Sequence, residues 1–276
     1  MRILVTSGTS AGSWKIRGEQ LGSAIGADVI NNASLSQQLG YDITICVKKP
    51  PKQWQPSGIV VWDMIDFWPQ PAGNEWGKPA LVAFAAERKE AFKASFCVAA
   101  TQQMRIDTKA ELCLYHHSRP GLSVHTVRQS PITTVGYEGR PQYLGRWHGL
   151  LLDWCDENNA SLLINPDNLA ACDVLVALRD HPYRGIATDH WKSNVKLANA
   201  QAAGVPIICL PEAGYTETAS GTELFISSFE QLYGALDKLQ QPFHREHCSV
   251  NMRARSKDFT LEAVAAEYKN WLESLL

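Results

Sequence analysis

The sequence predicts an α/β fold: two doubly wound, Rossmann-like parallel-sheet domains of similar size, facing each other across a cleft. Three observations predict it. The chain has 276 residues, comfortable for two domains of about 130 residues each. Short apolar, β-rich runs alternate with helical ones along most of its length, which makes a parallel sheet the default. The chain also opens on a strand, a Gly- and Ser-containing loop and a helical pattern, the first βα unit of such a fold.

In order, Ile3–Thr6 reads as that first strand, Gly8–Ser13 as the loop, and Trp14, Ile16, Leu21 and Ile25 as the apolar stripe of the helix. Asp42–Val47, Gly58–Trp62, Phe96–Ala99 and Glu111–Tyr115 read as further strands, with the Ala-, Glu- and Lys-containing stretch Pro79–Phe92 as a helix. The polar stretch His116 to Pro131, which contains Pro120-Gly121, reads as the interdomain connection. The expected domains are 1–127 and 128–276. In the second, Ile132–Gly136, Ala160–Ile164, Asp173–Leu178, Ile207–Leu210 and Leu224–Ile226 read as strands. Gln142–Glu157, Asp167–Ala171, Trp191–Ala203, Phe229–Leu239 and Arg253–Leu275 read as helical, the last free to return to the first domain.

Composition narrows the function. Hydrophobic content of 45% and charged content of 20% are ordinary for a globular protein. A net charge of −2 argues against a chain whose whole surface is a nucleic-acid footprint, though not against a local basic patch. The seven cysteines form no CxxC pair and several sit in apolar runs, which reads as reduced, packed thiols in a cytoplasmic protein rather than a zinc site. No signal-peptide pattern opens the chain and no apolar run approaches a membrane span.

The chemistry concentrates between Asp173 and Glu217. The apolar run Asp173–Leu178 ends in Arg179 and Asp180, which puts charge at the carboxyl edge of a sheet, where α/β proteins bind ligands. The plainer reading is an ion pair closing the strand end. In the helix that follows, Lys192, Lys196 and Asn199 would share one face, and two lysines near a helix N-terminus ask for an anion such as a diphosphate. Solvated surface lysines are the alternative. Pro211–Glu217 is a Gly-containing turn whose acids, Glu212 and Glu217, could bond sugar or ribose hydroxyls, with Tyr215 beside them. His116 and His117, after a strand candidate, are candidates for general base, with Asp180 their rival.

The run Val195 to Glu217, with Ala203-Gly204-Val205-Pro206 leading into Ile207-Ile208 and then Glu212 and Glu217, resembles the donor-binding region of GT-B glycosyltransferases. The layout of the whole chain is similar to theirs, while the specific matches lie in its last third. The resemblance implies a metal-independent transfer of a sugar from a nucleotide-sugar, UDP- or GDP-linked, to an acceptor hydroxyl, with no further cofactor. It implies a basic diphosphate ligand after the first strand of the second domain, here Arg140, with Gly136 and Gly139 allowing close backbone approach. It also makes Gly8–Ser13 the cleft-facing first loop, with Gly12, Ser13 and Arg17 as donor contacts. The chain departs from the family in lacking the glutamate pair that many retaining members carry: Trp191 and Asn199 stand at those positions. Retention or inversion stays open, as does the acceptor: a small molecule, a glycan, or a modified base in DNA reached through Lys48, Lys49, Lys52, Arg128 and Arg146. A non-catalytic nucleotide- or sugar-binding protein and a nucleotide-sugar epimerase are the alternative readings.

Overall fold

The computed structural model describes residues 1–10, 12–65 and 76–276. Their contacts divide into two compact units. Unit 1 holds Met1–His117, Gly185–Ser193 and Leu261–Leu276; unit 2 holds Ser118–Arg184 and Asn194–Thr260.

Unit 1 is built on β1 (Ile3–Thr6), β2 (Asp28–Val29), β3 (Ile43–Val47), β4 (Ile59–Ile65), β5 (Phe96–Ala99) and β6 (Leu112–Cys113). They form one parallel sheet in the order β2-β1-β3-β4-β5-β6. Every residue of β1 and β3 is buried, so both faces are covered and the sequence reads as continuous apolar runs rather than alternation. The segment expected to be the first α-helix is a π-helix, Trp14–Leu21, that tightens into the short α1 (Gly22–Ala24). Of the expected apolar stripe, Trp14, Leu21 and Ile25 are buried and Ile16 is half-buried, and the π-helix buries Arg17 and Gly18 as well. Gly18 is needed there, because the Trp14 ring lies where a Cβ would stand. Ala11, inside the expected first loop, lies outside the described residues.

α2 (Lys78–Ala91) starts with Pro79 in its first turn and ends on Arg88 and Lys89, against the negative end of its dipole. α3 (Gln102–Thr108) begins where the Thr101 hydroxyl accepts the Met104 amide at 3.0 Å. The five-residue α5 (Ile186–His190) also belongs to this unit. So does α10 (Leu261–Glu273), which inserts Val264, Ala265, Tyr268 and Leu272 among Ile3, Val5, Ile43 and Ile45.

Unit 2 is built on β7 (Thr134–Tyr137), β8 (Ser161–Ile164), β9 (Val174–Ala177), β10 (Ile207–Cys209) and β11 (Leu224–Phe225), parallel in the order β11-β10-β9-β7-β8. The chain leaves β7 toward β8, then crosses back to add β9, β10 and β11 on the other side. The topological switch point therefore lies between β7 and β9, where open α/β sheets bind their ligands. α4 (Arg146–Glu157) and α8 (Phe229–Gln240) pack on each other, as do α6 (Val195–Ala203) and α9 (Pro242–Ser256). α7 (Ala213–Thr216) is a single turn after β10. Trp147, Leu151 and Trp154 of α4, Leu197 and Ala200 of α6, and Leu232, Leu236 and Leu239 of α8 close the core over β7, β9 and β10. Each large apolar side chain so buried contributes about 1.5–3 kcal/mol.

The expected helix over Trp191–Ala203 is two pieces in two units: α5 ends at His190 and α6 begins at Val195. Lys192 precedes α6 and belongs to unit 1, so it does not share a helical face with Lys196 and Asn199. α6 stops at Gly204, which takes the left-handed conformation (φ 67°) that a helix C-terminus favours. Among the described residues, no helix is long and apolar enough to cross a membrane.

Candidate functional site at the carboxyl edge of unit 2

Three strand ends and one helix start supply the site. Beyond β7 come Glu138, Gly139 and Arg140; beyond β9, Arg179 and Asp180; beyond β10, Glu212; and Lys196 lies in the first turn of α6. The strand-end charges follow buried apolar strands within a few residues, and Arg179, Asp180 and Glu212 stay buried there while Arg140 is exposed.

Around Gly139 the pieces converge. A Cβ at Gly139 would lie 2.9 Å from the Tyr137 hydroxyl and 3.1 Å from Lys196 Nζ, and its φ of 139° favours glycine. Lys196 Nζ stands 4.5 Å from the centroid of the Tyr137 ring, a cation–π contact that fixes the ammonium beside the strand end. Burial pushes the Tyr137 hydroxyl up to about 12, so it stays protonated and donates to the Arg140 carbonyl at 3.3 Å. Arg140 itself is exposed. Asn199, one helical turn along α6 from Lys196, donates from Nδ2 to Glu138 Oε2 at 3.2 Å and accepts the Arg119 amide at 2.8 Å. The Arg119 guanidinium reaches Glu138 Oε1 at 3.8 Å. Glu138 is not among the residues the sequence singles out, although it follows an apolar strand as Arg179 does.

Arg179 and Glu212 form the second group. Both are buried, with Nε to Oε1 at 3.3 Å, and the guanidinium lies 5.1 Å from the Tyr143 ring centroid. Burial works against the arginine's charge, but Glu212, Tyr215 and Tyr137 more than offset it and hold the guanidinium pKa above its ordinary value. Burial, with Glu212 next, pushes Tyr215 well above the usual phenol range. Among the described residues Glu212 Oε2 has no hydrogen-bond partner, and a buried acceptor of that kind calls for a donor from a ligand or water.

Other expected residues take structural places. Gly136 faces the core: a Cβ there would stand 2.6 Å from Cys172 Sγ and 2.7 Å from Leu175, so it serves packing rather than ligand approach. Asp180 is buried and caps α4, accepting from the amides of Arg146 (2.9 Å) and His181 (2.8 Å). Burial raises its pKa, but those amides and the Arg146 guanidinium outweigh that and leave it below the ordinary carboxylate value, which suits a cap and not a general base. Glu217 closes α7, half-buried.

In unit 1, Gly12 is exposed, Ser13 precedes the π-helix, and Lys192 is half-buried. Arg17 is a core residue, 2% exposed, with Nε 3.8 Å from Asp63 and Nη2 donating to the Leu114 carbonyl. His116 and His117 are buried, and His117 Nε2 lies 3.2 Å from the Ile16 carbonyl. Read as a donor, that nitrogen ties the end of β6's following segment to the π-helix. Among the described residues, no group of three or more His, Cys, Asp or Glu side chains is placed to hold a metal ion.

No protein-family model and no curated protein sequence matches this chain. Its structure is similar to solved ones. The E. coli trehalose-6-phosphate protein bound with UDP-2-fluoro glucose superposes with a TM-score of 0.60 at 10% identity, covering 100% of both chains. AviGT4, a glycosyltransferase involved in avilamycin A biosynthesis, gives 0.55 at 8% identity over 97% of this chain and 96% of its own. A UDP-forming α,α-trehalose-phosphate synthase from Burkholderia vietnamiensis gives 0.50 at 9% identity over 84% and 72%. Two parallel-sheet α/β units in one chain, with these neighbours, place the protein by its architecture: it has the fold of the GT-B glycosyltransferases.

Proposed function

We propose that this chain is a glycosyltransferase that moves a sugar from a nucleotide-sugar donor to an acceptor hydroxyl, the donor seated on the carboxyl edge of unit 2. The observation that carries the reading is Lys196 held over Tyr137, beside a glycine that leaves the strand end open, at the sheet's switch point. A diphosphate there meets the Lys196 ammonium, Arg140 and the first amides of α6, so negative charge that develops on the leaving group is met by fixed positive charge. Asn199 and Glu138 offer donor and acceptor groups to hydroxyls of the ribose or sugar. This charge stabilisation needs no bound metal, which is part of the proposal. A UDP-linked donor is the first to try, since the E. coli neighbour was solved with a UDP-sugar analogue; GDP-linked donors come next.

The test is a thermal-shift panel of nucleoside diphosphates and their sugars, because a ligand that binds only the native state raises the melting temperature by mass action. Lys196→Ala should weaken the responding nucleotide by about tenfold or more, the scale of one lost charge-assisted contact. A panel with no shift, or a Lys196→Ala chain that binds as the parent does, would sink the assignment. Asn199 at a position where many of the resembling enzymes carry glutamate favours one second reading, a nucleotide-sugar-binding protein without turnover. Release of labelled sugar from the bound donor separates the two. Acceptors are then sorted among small molecules, glycans and modified DNA by which of them takes up the label.

A further inference from the structure

Unit 1 contains a pocket of about 230 Å³ lined by Lys48, Lys49, Pro50, Trp62, Arg88 and Phe92. It shares no residue with the carboxyl edge of unit 2. Among these lining residues three are cationic and none is acidic. Trp62 and Phe92 are buried and meet edge to face, ring centroids 5.2 Å apart, as an apolar floor. The Arg88 guanidinium lies 4.7 Å from the Phe84 ring centroid and 6.0 Å from that of Phe92, so aromatic faces hold it in place.

The lysine side of the pocket is fixed by its backbone. Lys48 has φ 66°, a conformation its Cβ disfavours. It is held there from both sides: its amide donates to the Asp63 carbonyl at 2.9 Å and its carbonyl accepts Trp62 Nε1 at 3.1 Å. Gly8 donates its amide to the Lys49 carbonyl at 2.8 Å and packs so closely on the Pro50 carbonyl that no side chain fits. A strained, pinned loop that sets two lysines beside an arginine and an aromatic floor is what a preformed anion site requires.

We propose that this pocket binds a small organic oxyanion, a phosphate monoester or a carboxylate carried on a flat ring. The cations meet the charged group, while Trp62, Phe92 and Pro50 cover the ring. A small molecule fits better than a nucleic-acid backbone, because the three cations line one concave space instead of a stripe that tracks successive phosphates.

The test is calorimetric titration of the full chain, at low salt, with phenyl phosphate, benzoate, inorganic phosphate and benzyl alcohol. Phenyl phosphate or benzoate should bind at least about tenfold more tightly than inorganic phosphate, and benzyl alcohol more weakly than either, since charge and ring both contribute. Which of the two anions binds better tells phosphate ester from carboxylate. Lys49→Glu with Arg88→Glu, both at exposed positions, should weaken that ligand by about tenfold or more. Lys49→Ala, the milder change, should weaken it in the same direction. The proposal is overturned if neither ring anion binds by about 10 mM, the weak end of specific binding. It is equally overturned if inorganic phosphate binds as well as phenyl phosphate, if the charge-reversed chain binds unchanged, or if a short DNA duplex displaces the ring anion at lower concentration.

Discussion

At the scale of single residues, charge placed directly after a buried strand is the feature most readable from sequence. Arg179, Asp180 and Glu212 all stand at such points, and all lie at the carboxyl edge of the unit 2 sheet. What each does there was not readable, because partners come from far along the chain. Arg179 meets Glu212 across 33 residues, and Asn199 meets Glu138 across 61. Asp180 shows the consequence. Its carboxylate caps α4 and presses against Gly145, where φ is 49° and the carboxylate stands where a Cβ would go. Its pKa is depressed in the folded chain, so its stabilising contribution is present above the unfolded value of about 3.9 and is lost as pH falls through the lower folded value. Asp180→Asn should therefore cost about 1–2 kcal/mol at neutral pH, as lost caps do. The gap from the parent should close as pH falls from about 5 toward 2. Denaturant midpoints at several pH values check this, and a gap that stays constant over that range would show that the charge is not what stabilises.

At the scale of elements, the buried strands were legible and the broken or distorted helices were not. β3 and β9 are covered on both faces and appear as almost wholly apolar runs, and β4 does too up to Asp63, where the sequence reading stops and the strand continues to Ile65. Of the two-residue strands, β6 and β11 fall inside the runs Glu111–Tyr115 and Leu224–Ile226 that the sequence marks as strands, whereas β2 leaves no period to detect. The break between α5 and α6 escaped because Trp191, Lys192, Ser193 and Asn194 do not contradict a helix locally; tertiary packing puts the two pieces in different units. The π-helix escaped for a related reason: its register is set by Trp14 lying on Gly18 and by the Trp14 Nε1 hydrogen bond to Glu19 Oε1 at 3.0 Å. That geometry makes a prediction. Gly18→Ala puts a methyl where the Trp14 ring lies and should destabilise by about 1–3 kcal/mol, the usual cost of overpacking. In the Trp14→Ala background the same change should cost much less, so the double-mutant cycle should show coupling of about 1 kcal/mol or more. Additive losses would mean that the ring does not set the turn.

At the scale of the whole molecule, the chain's last segment completes a core begun by its first. Tyr268 and Leu272 of α10 are buried among Ile3, Val5, Ile43 and Ile45, and Tyr268 lies close to the buried Arg17–Asp63 pair. The Asp63 carboxyl is pushed up by burial, with Arg17 opposing; such a pair is costly to expose to change on one side only. Unit 1 is thus non-contiguous in sequence, and its core includes side chains more than 200 residues from β1. Leu272→Ala should cost about 2–5 kcal/mol, the range for emptying a packed leucine site. Ending the chain after Thr260 removes all four buried side chains of α10 together. In that chain hydrogen exchange at β1 and β3 should lose its protection, while amides of β7 and β9, whose core contains no residue beyond Met252, should keep most of theirs. Equal loss in both sheets would mean that the two cores are stable only together, and undiminished protection at β1 and β3 would mean that α10 is dispensable to the first.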